Sequence, residues 1–135
     1  MSAKQWESDG DRLMKETESK LNSSGGFFSS FFAGGESSKK ENAKDGYQDA
    51  ANKYKLAKCW IKAADALGKA AKIMEELGDT VESGMAYANA GSFMFKEDQV
   101  EAGVKLLQCA VSVFQNAGKL DKAGKYEKLI GEKLE

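Results

Sequence analysis

The chain repeats itself at a spacing of 40 residues. Shifted by that distance, Tyr47 falls on Tyr87, Ala50 on Ala90, Leu67 on Leu107 and Ala70 on Ala110. The register continues without a gap through Ile73 on Val113, Met74 on Phe114 and Gly78 on Gly118, and Gly84 and Gly91 recur as Gly124 and Gly131. A period in this range marks a unit that cannot bury its apolar side alone and completes its core by stacking on the next copy. There is no proline, so nothing interrupts an i to i−4 hydrogen-bond ladder. Repeat and composition together predict an all-α chain: a single domain built as a right-handed stack of antiparallel helical hairpins.

Small residues in Ala63-x3-Leu67-x2-Ala70 and Gly103-x3-Leu107-x2-Ala110 let helix axes approach closely, as in tetratricopeptide repeats. Those repeats run to about 34 residues, so the helices here should each be longer. The expected elements are an N-terminal helix over 1–21, an exposed Gly/Ser/Phe loop over 22–38, and stacked hairpins over 39–135, giving about six helices. The helix over 60–77 shows its face most clearly. Trp60, Ala63, Ala64, Leu67, Ala70, Ala71, Met74 and Leu77 step at helical spacing, with Lys62, Lys69, Lys72, Glu75 and Glu76 on the other side. Gly78 and Gly118 sit where a helix ends and a left-handed residue is cheapest.

Composition excludes more than it assigns. A formal charge of −1 gives no overall attraction to nucleic acid or to anionic lipid. Cys59 and Cys109 stand fifty residues apart with no histidine to complete a zinc site, and they read as packed thiols in a reducing, cytoplasmic setting. The N-terminal MSAKQWESDGDR is too polar for a signal peptide. Without histidine the commonest general base is missing, and no GxxxxGK[ST] or GxGxxG phosphate loop occurs. No enzyme, no metal site and no cofactor are expected.

Four of the seven phenylalanines, Phe27, Phe28, Phe31 and Phe32, fall within six residues, bracketed by Gly25-Gly26 and Gly34-Gly35. Burying one such side chain is worth about 1.5–3 kcal/mol, so four rings should find a sink. Three sinks are open on chemistry alone: the headgroup–acyl boundary of a membrane, a groove on a partner, or the chain's own core. Downstream, Lys53, Lys55, Lys58, Lys62, Lys69 and Lys72 accumulate with few acids before Glu75. They would suit an acidic helical bundle or anionic headgroups, or simply form a solvated helix face.

These residues also carry a family resemblance. Leu21-Asn-Ser-Ser-Gly-Gly-Phe-Phe-Ser-Ser-Phe-Phe-Ala-Gly-Gly closely resembles the N-terminal loop of the soluble NSF attachment proteins, alpha/beta branch. Tyr47-x2-Ala50-Ala51-Asn52-x-Tyr54-Lys55-x-Ala57-Lys58-x-Trp60 is similar to that family's second helix and following turn, and Ala88-Asn89-Ala90-Gly91 with Phe93 and Phe95 to its fourth. The resemblance implies an all-helical adaptor that lies along a SNARE bundle and recruits the AAA ATPase NSF, peripherally attached to the membrane surface. It implies membrane contact for Phe27, Phe28, Phe31 and Phe32, whereas SNARE- or lipid-facing roles for Lys53, Lys55, Lys58, Lys62 and Lys69 rest on their local charge excess. Family members end in an acidic tail with a leucine that stimulates the ATPase. Leu134 is the position offered for it, though Gly131-Glu-Lys-Leu-Glu lacks the acidic run. The alternative is a generic repeat scaffold clamping a peptide, with Asn52, Asn89 and Lys55 as candidate clamp residues.

Overall fold

The computed structural model describes residues 2–22 and 35–135. Six helices follow one another: α1 Ala3–Asn22, α2 Gly35–Leu56, α3 Trp60–Glu76, α4 Thr80–Lys96, α5 Val100–Asn116 and α6 Leu120–Lys133. Each packs chiefly on its sequence neighbours, so the described residues form a stack of antiparallel hairpins with no strand among them. The expected loop over 22–38 is shorter at its C-terminal end, because α2 begins at Gly35 rather than residue 39. Ser37 and Ser38 looked like loop formers, but serine costs little in a first turn, where the N–H groups lack helical partners in any case.

Every turn after α2 is built the same way, at 20-residue intervals. Lys58, Gly78, Asp98 and Gly118 adopt left-handed backbone, with φ of 60°, 85°, 56° and 74°. The N–H that follows each reaches back five residues. Cys59 donates to the Tyr54 carbonyl at 2.9 Å, Asp79 to Met74 at 2.9 Å, Gln99 to Met94 at 3.0 Å and Lys119 to Phe114 at 2.8 Å. These close the ends of α2 to α5 as Schellman turns. The same four residues then start the next helix: their carbonyls accept from Ala63, Ser83, Gly103 and Ala123. None of the four makes a side-chain cap. The turn is therefore a backbone device, and side-chain choice enters mainly at its left-handed residue.

The residue four beyond each start is small and buried, namely Ala63, Ser83, Gly103 and Ala123, which lets the new helix close on the one before. Ser83, the only hydroxyl in the set, donates to the Ala71 carbonyl at 2.8 Å. Aromatic rings lie directly on helical glycines: Tyr54 on Gly10, Phe114 on Gly84 and Phe95 on Gly103, each where a Cβ would collide with the ring. Phe114 also stacks on Tyr126 with centroids 5.9 Å apart, joining α6 to α5. The expected stripe of α3 is buried at Ala63, Ala64, Ala70, Ala71 and Met74, and half-buried at Trp60, Leu67 and Leu77. Ala66 and Ile73 are buried as well, because α3 carries α2 on one side and α4 on the other.

Non-glycine residues in left-handed backbone cost about 1 kcal/mol. Lys58→Gly and Asp98→Gly should each stabilise the fold by up to about 1 kcal/mol, less the entropy glycine adds to the unfolded chain, and Gly118→Ala should destabilise it by about 1 kcal/mol. Gly84→Ala should cost about 1–3 kcal/mol through Phe114, despite alanine's better helix propensity. Urea unfolding of the four variants checks all of these signs.

Candidate functional site: the loop base and the grooves beside it

Because the helices alternate in direction, the stack has two edges. One carries the ends of α1 and α2 that flank residues 23–34, together with the turns at Gly78 and Gly118. Lys44 in the middle of α2 reaches Asp79 at 3.8 Å, so the Gly78 turn lies beside the middle of α2 and the first turns of α2 extend beyond it. The opposite edge holds the turns at Lys58 and Asp98 and a series of lysines over rings: Lys53 over Trp6 at 4.7 Å, Lys96 over Trp60 at 4.8 Å and Lys133 over Phe95 at 4.7 Å. Trp60 also meets Phe93 at 5.4 Å. Phe27, Phe28, Phe31 and Phe32 lie outside the described residues, so the structure speaks to the base from which they emerge.

At the middle of α2, α1 and α2 are close. Thr17 is buried, and a Cβ on Gly46 would collide with it. Beside this contact runs a groove of about 450 Å³ lined by Leu13, Leu21 and Ala43, with Glu16, Asp45 and Asp49 among its polar residues.

α1 is further tied across to α3. The Lys62 ammonium meets Glu7 at 2.7 Å and Asp11 at 3.2 Å, while Lys69 meets Glu18 at 3.0 Å and Asp65 at 3.4 Å. Tyr54 donates to Asp11 at 2.6 Å from the helix between them. That hydrogen bond, joined by Lys62, holds the Asp11 carboxyl below its ordinary range. The Glu7 hydrogen bond holds Lys62 up, and Tyr54 is raised first by burial and then by Asp11. For Lys69, burial works downward but is outweighed by Glu18 and Asp65, so its pKa also rises. The pairs are half-exposed, and such pairs contribute about 0–1 kcal/mol each. Their effect is to fix the direction of α1.

The sequence grouped five lysines as partner-facing, and the structure separates them. Lys53 sits over Trp6, and Lys62 and Lys69 hold α1. Lys55 and Lys58 stay exposed at the edge opposite the loop base. Leu134 is exposed at the end of α6. A surface not singled out from the sequence lies between α3 and α5, a groove of about 390 Å³. Tyr87 and Met94 of α4 form its floor, Ala64 and Gly68 face Ala102 and Leu106 as walls, and Lys69, Lys72 and Lys105 rim it together with Asp65, which pairs with Lys69 at 3.4 Å. Lys72 and Lys105 make no ion pair among the described residues. An apolar floor with a cationic rim accepts one face of an amphipathic acidic helix. Its signal in the sequence was the helical spacing of Ala64, Gly68 and Lys72 set against Ala102, Leu106 and Lys105.

The model of the family described as Soluble NSF attachment protein, SNAP, matches residues 8–135. The chain belongs to the SNAP family. It is 32% identical over 126 residues to an alpha-soluble NSF attachment protein of Vitis vinifera, covering 93% of this chain and 40% of that one. The human alpha-soluble NSF attachment protein is 33% identical over 126 residues, 93% of this chain and 42% of its own. The probable vesicular-fusion protein sec17 homolog of Schizosaccharomyces pombe is 32% identical over 127 residues, 94% and 42%. The chain thus spans about two-fifths of the length of these curated SNAP relatives. No solved structure matches it significantly. SNAP proteins are adaptors rather than enzymes. Of the two cysteines read as packed thiols, Cys59 is half-buried and Cys109 is exposed. No cluster of metal ligands occurs among the described residues, and no described helix is long and apolar enough to cross a membrane.

The ties on α1 predict a pH signature. With its folded pKa below its unfolded one, Asp11 contributes stability that is present above about pH 4 and lost as pH falls through the folded value. Tyr54→Phe should destabilise the fold by about 1 kcal/mol at neutral pH and flatten that acid-side loss. Urea unfolding of both proteins between neutral pH and the carboxylate range measures it.

Proposed function

We propose that this chain is a SNAP-type adaptor. It binds SNARE bundles, contacts the membrane through Phe27, Phe28, Phe31 and Phe32, and links the bundle to an NSF-type AAA ATPase in SNARE recycling. The observation that carries the reading is family membership over residues 8–135 with the Gly-Gly-Phe-Phe-Ser-Ser-Phe-Phe segment present. Insertion of a few rings is weak and reversible, so a second contact must hold the protein at its place of work.

For that second contact the α3–α5 groove is better suited than the full lysine group expected from the sequence. Lys72 and Lys105 flank its apolar floor without an ion pair, whereas Lys53 and Lys62 have partners within the stack. A SNARE helix would lay an apolar stripe over Tyr87, Met94 and Leu106 and place its carboxylates at the two lysines. The attached protein would occupy the cytoplasmic face of a membrane. The ATPase contact is assigned no surface beyond the exposed end of α6 around Leu134.

Co-flotation with liposomes carrying embedded SNARE bundle tests both contacts at once. Replacing the four phenylalanines by serine should abolish flotation on protein-free liposomes and weaken it with bundle present. Lys72→Glu with Lys105→Glu should leave the protein-free result unchanged and weaken bundle binding by about tenfold, the equivalent of about 1.4 kcal/mol. Equal flotation of the serine variant and the parent would remove the loop from the mechanism.

A further inference from the structure

We propose that Glu18 competes with the bound partner for Lys69. Its ammonium is held by Glu18 in the free chain and passes to a carboxylate of an acidic helix when the α3–α5 groove is filled. The inference rests on the reading of that groove as a docking site and adds the residue that restrains it. A second groove, of about 600 Å³, lies beside it between α1 and α3, with Met14, Ile61 and Met94 as its apolar lining. Of the lysines that line these two grooves, only Lys69 lines both. It stands on the helix that divides them, and the flexible four-carbon stem of a lysine lets the ammonium swing from one side to the other.

The chain's own carboxylates show what Lys69 binds. Glu18 of α1 meets it at 3.0 Å and Asp65, one turn back on α3, at 3.4 Å. Asp65 lines both grooves and shares the helix of Lys69, so it follows the ammonium to either side. Glu18 lines the α1–α3 groove alone, and a turn of the ammonium toward α5 leaves it behind. Lys62 is placed differently. Both of its acids, Glu7 and Asp11, lie on α1, and it has no place on the α3–α5 groove. The charges supply the drive for the exchange. Lys69, Lys72 and Lys105 surround one apolar floor, and Lys69 and Lys72, three apart on one helix face, repel each other. In the free chain Lys69 alone of the three is neutralised, whereas a helix with carboxylates beside its apolar stripe answers all three. The side chains of Lys69 and Glu18 are 43% and 42% exposed, so trading one carboxylate for another adds little desolvation.

The test is a double-mutant cycle on the affinity for a fluorescently labelled, soluble SNARE bundle, read by anisotropy. Glu18→Gln removes the competing charge and keeps the length of the side chain. Lys69→Met keeps the apolar stem and removes the ammonium. Both are surface changes, made in proteins whose helical circular dichroism matches the parent. Expected is binding about twofold to fivefold tighter for Glu18→Gln than for the parent, the value of one half-exposed ion pair. In the Lys69→Met background the same change should have no effect. An affinity that Glu18→Gln leaves unchanged or weakens overturns the competition. Tightening of equal size in both backgrounds overturns it too, since Glu18 would then act as a repulsive charge without Lys69. Failure of the groove reading looks different: the parent would not bind the bundle, or Lys72→Glu with Lys105→Glu would leave its affinity unchanged. Either result overturns the groove and this inference together.

Discussion

Four residues spaced twenty apart, Lys58, Gly78, Asp98 and Gly118, carry the left-handed backbone that turns each helix back on its predecessor. From α2 onward the stack inherits its register from them. Each turn closes one helix with a five-residue backbone hydrogen bond and opens the next from the same residue. The small residue four places on then always arrives against the previous helix, and the rings of Phe114 and Phe95 always find a glycine. With helices of 17 residues from α3 to α5, the two edges of the stack stay separate along its length. That separation puts the base of the phenylalanine segment and the Gly78 and Gly118 turns on one edge, and the lysine–ring series on the other.

The first hairpin obeys a different constraint. The backbone turn that joins the later helices is not among the described residues between α1 and α2. Contacts fix the direction of α1: Tyr54 against Gly10, Thr17 against Gly46, and the lysines of α3 reaching Glu7, Asp11 and Glu18. Individually the ion pairs are weak. Together with the two close packings they orient the helix that leads into the phenylalanine segment. In the free chain Lys62 and Lys69 therefore work within the stack.

The hairpin stack was legible from the 40-residue register and the absence of proline, and Gly78 and Gly118 announced two of the turns. At the other two the left-handed residue carried no glycine signal, because Lys58 and Asp98 occupy positions that glycine would mark, and this concealed the 20-residue half-period. Asp tolerates that backbone better than most residues, and lysine has no such excuse. The lysine group was read by composition, whereas Lys53, Lys62 and Lys69 have partners on α1. Glu7, Asp11 and Glu18 repeat at the spacing of one helix face, as do Lys62 and Lys69, and matching the two faces would have predicted the pairing. The α3–α5 groove was harder to see, since its floor comes from Tyr87 and Met94 on a third helix. The phenylalanine segment stood out most clearly in the sequence, through composition alone.

Two weak contacts on one stack should act as one strong contact when membrane and bundle are presented together. The most direct measurement is the affinity of the chain for SNARE bundle embedded in phosphatidylserine-containing liposomes, set beside its affinities for the soluble bundle and for protein-free liposomes. The account predicts binding to the embedded bundle at least about tenfold tighter than to either component alone. An embedded bundle that binds no more tightly than the soluble one would contradict it, because the membrane edge and the groove would then not be engaged at the same time.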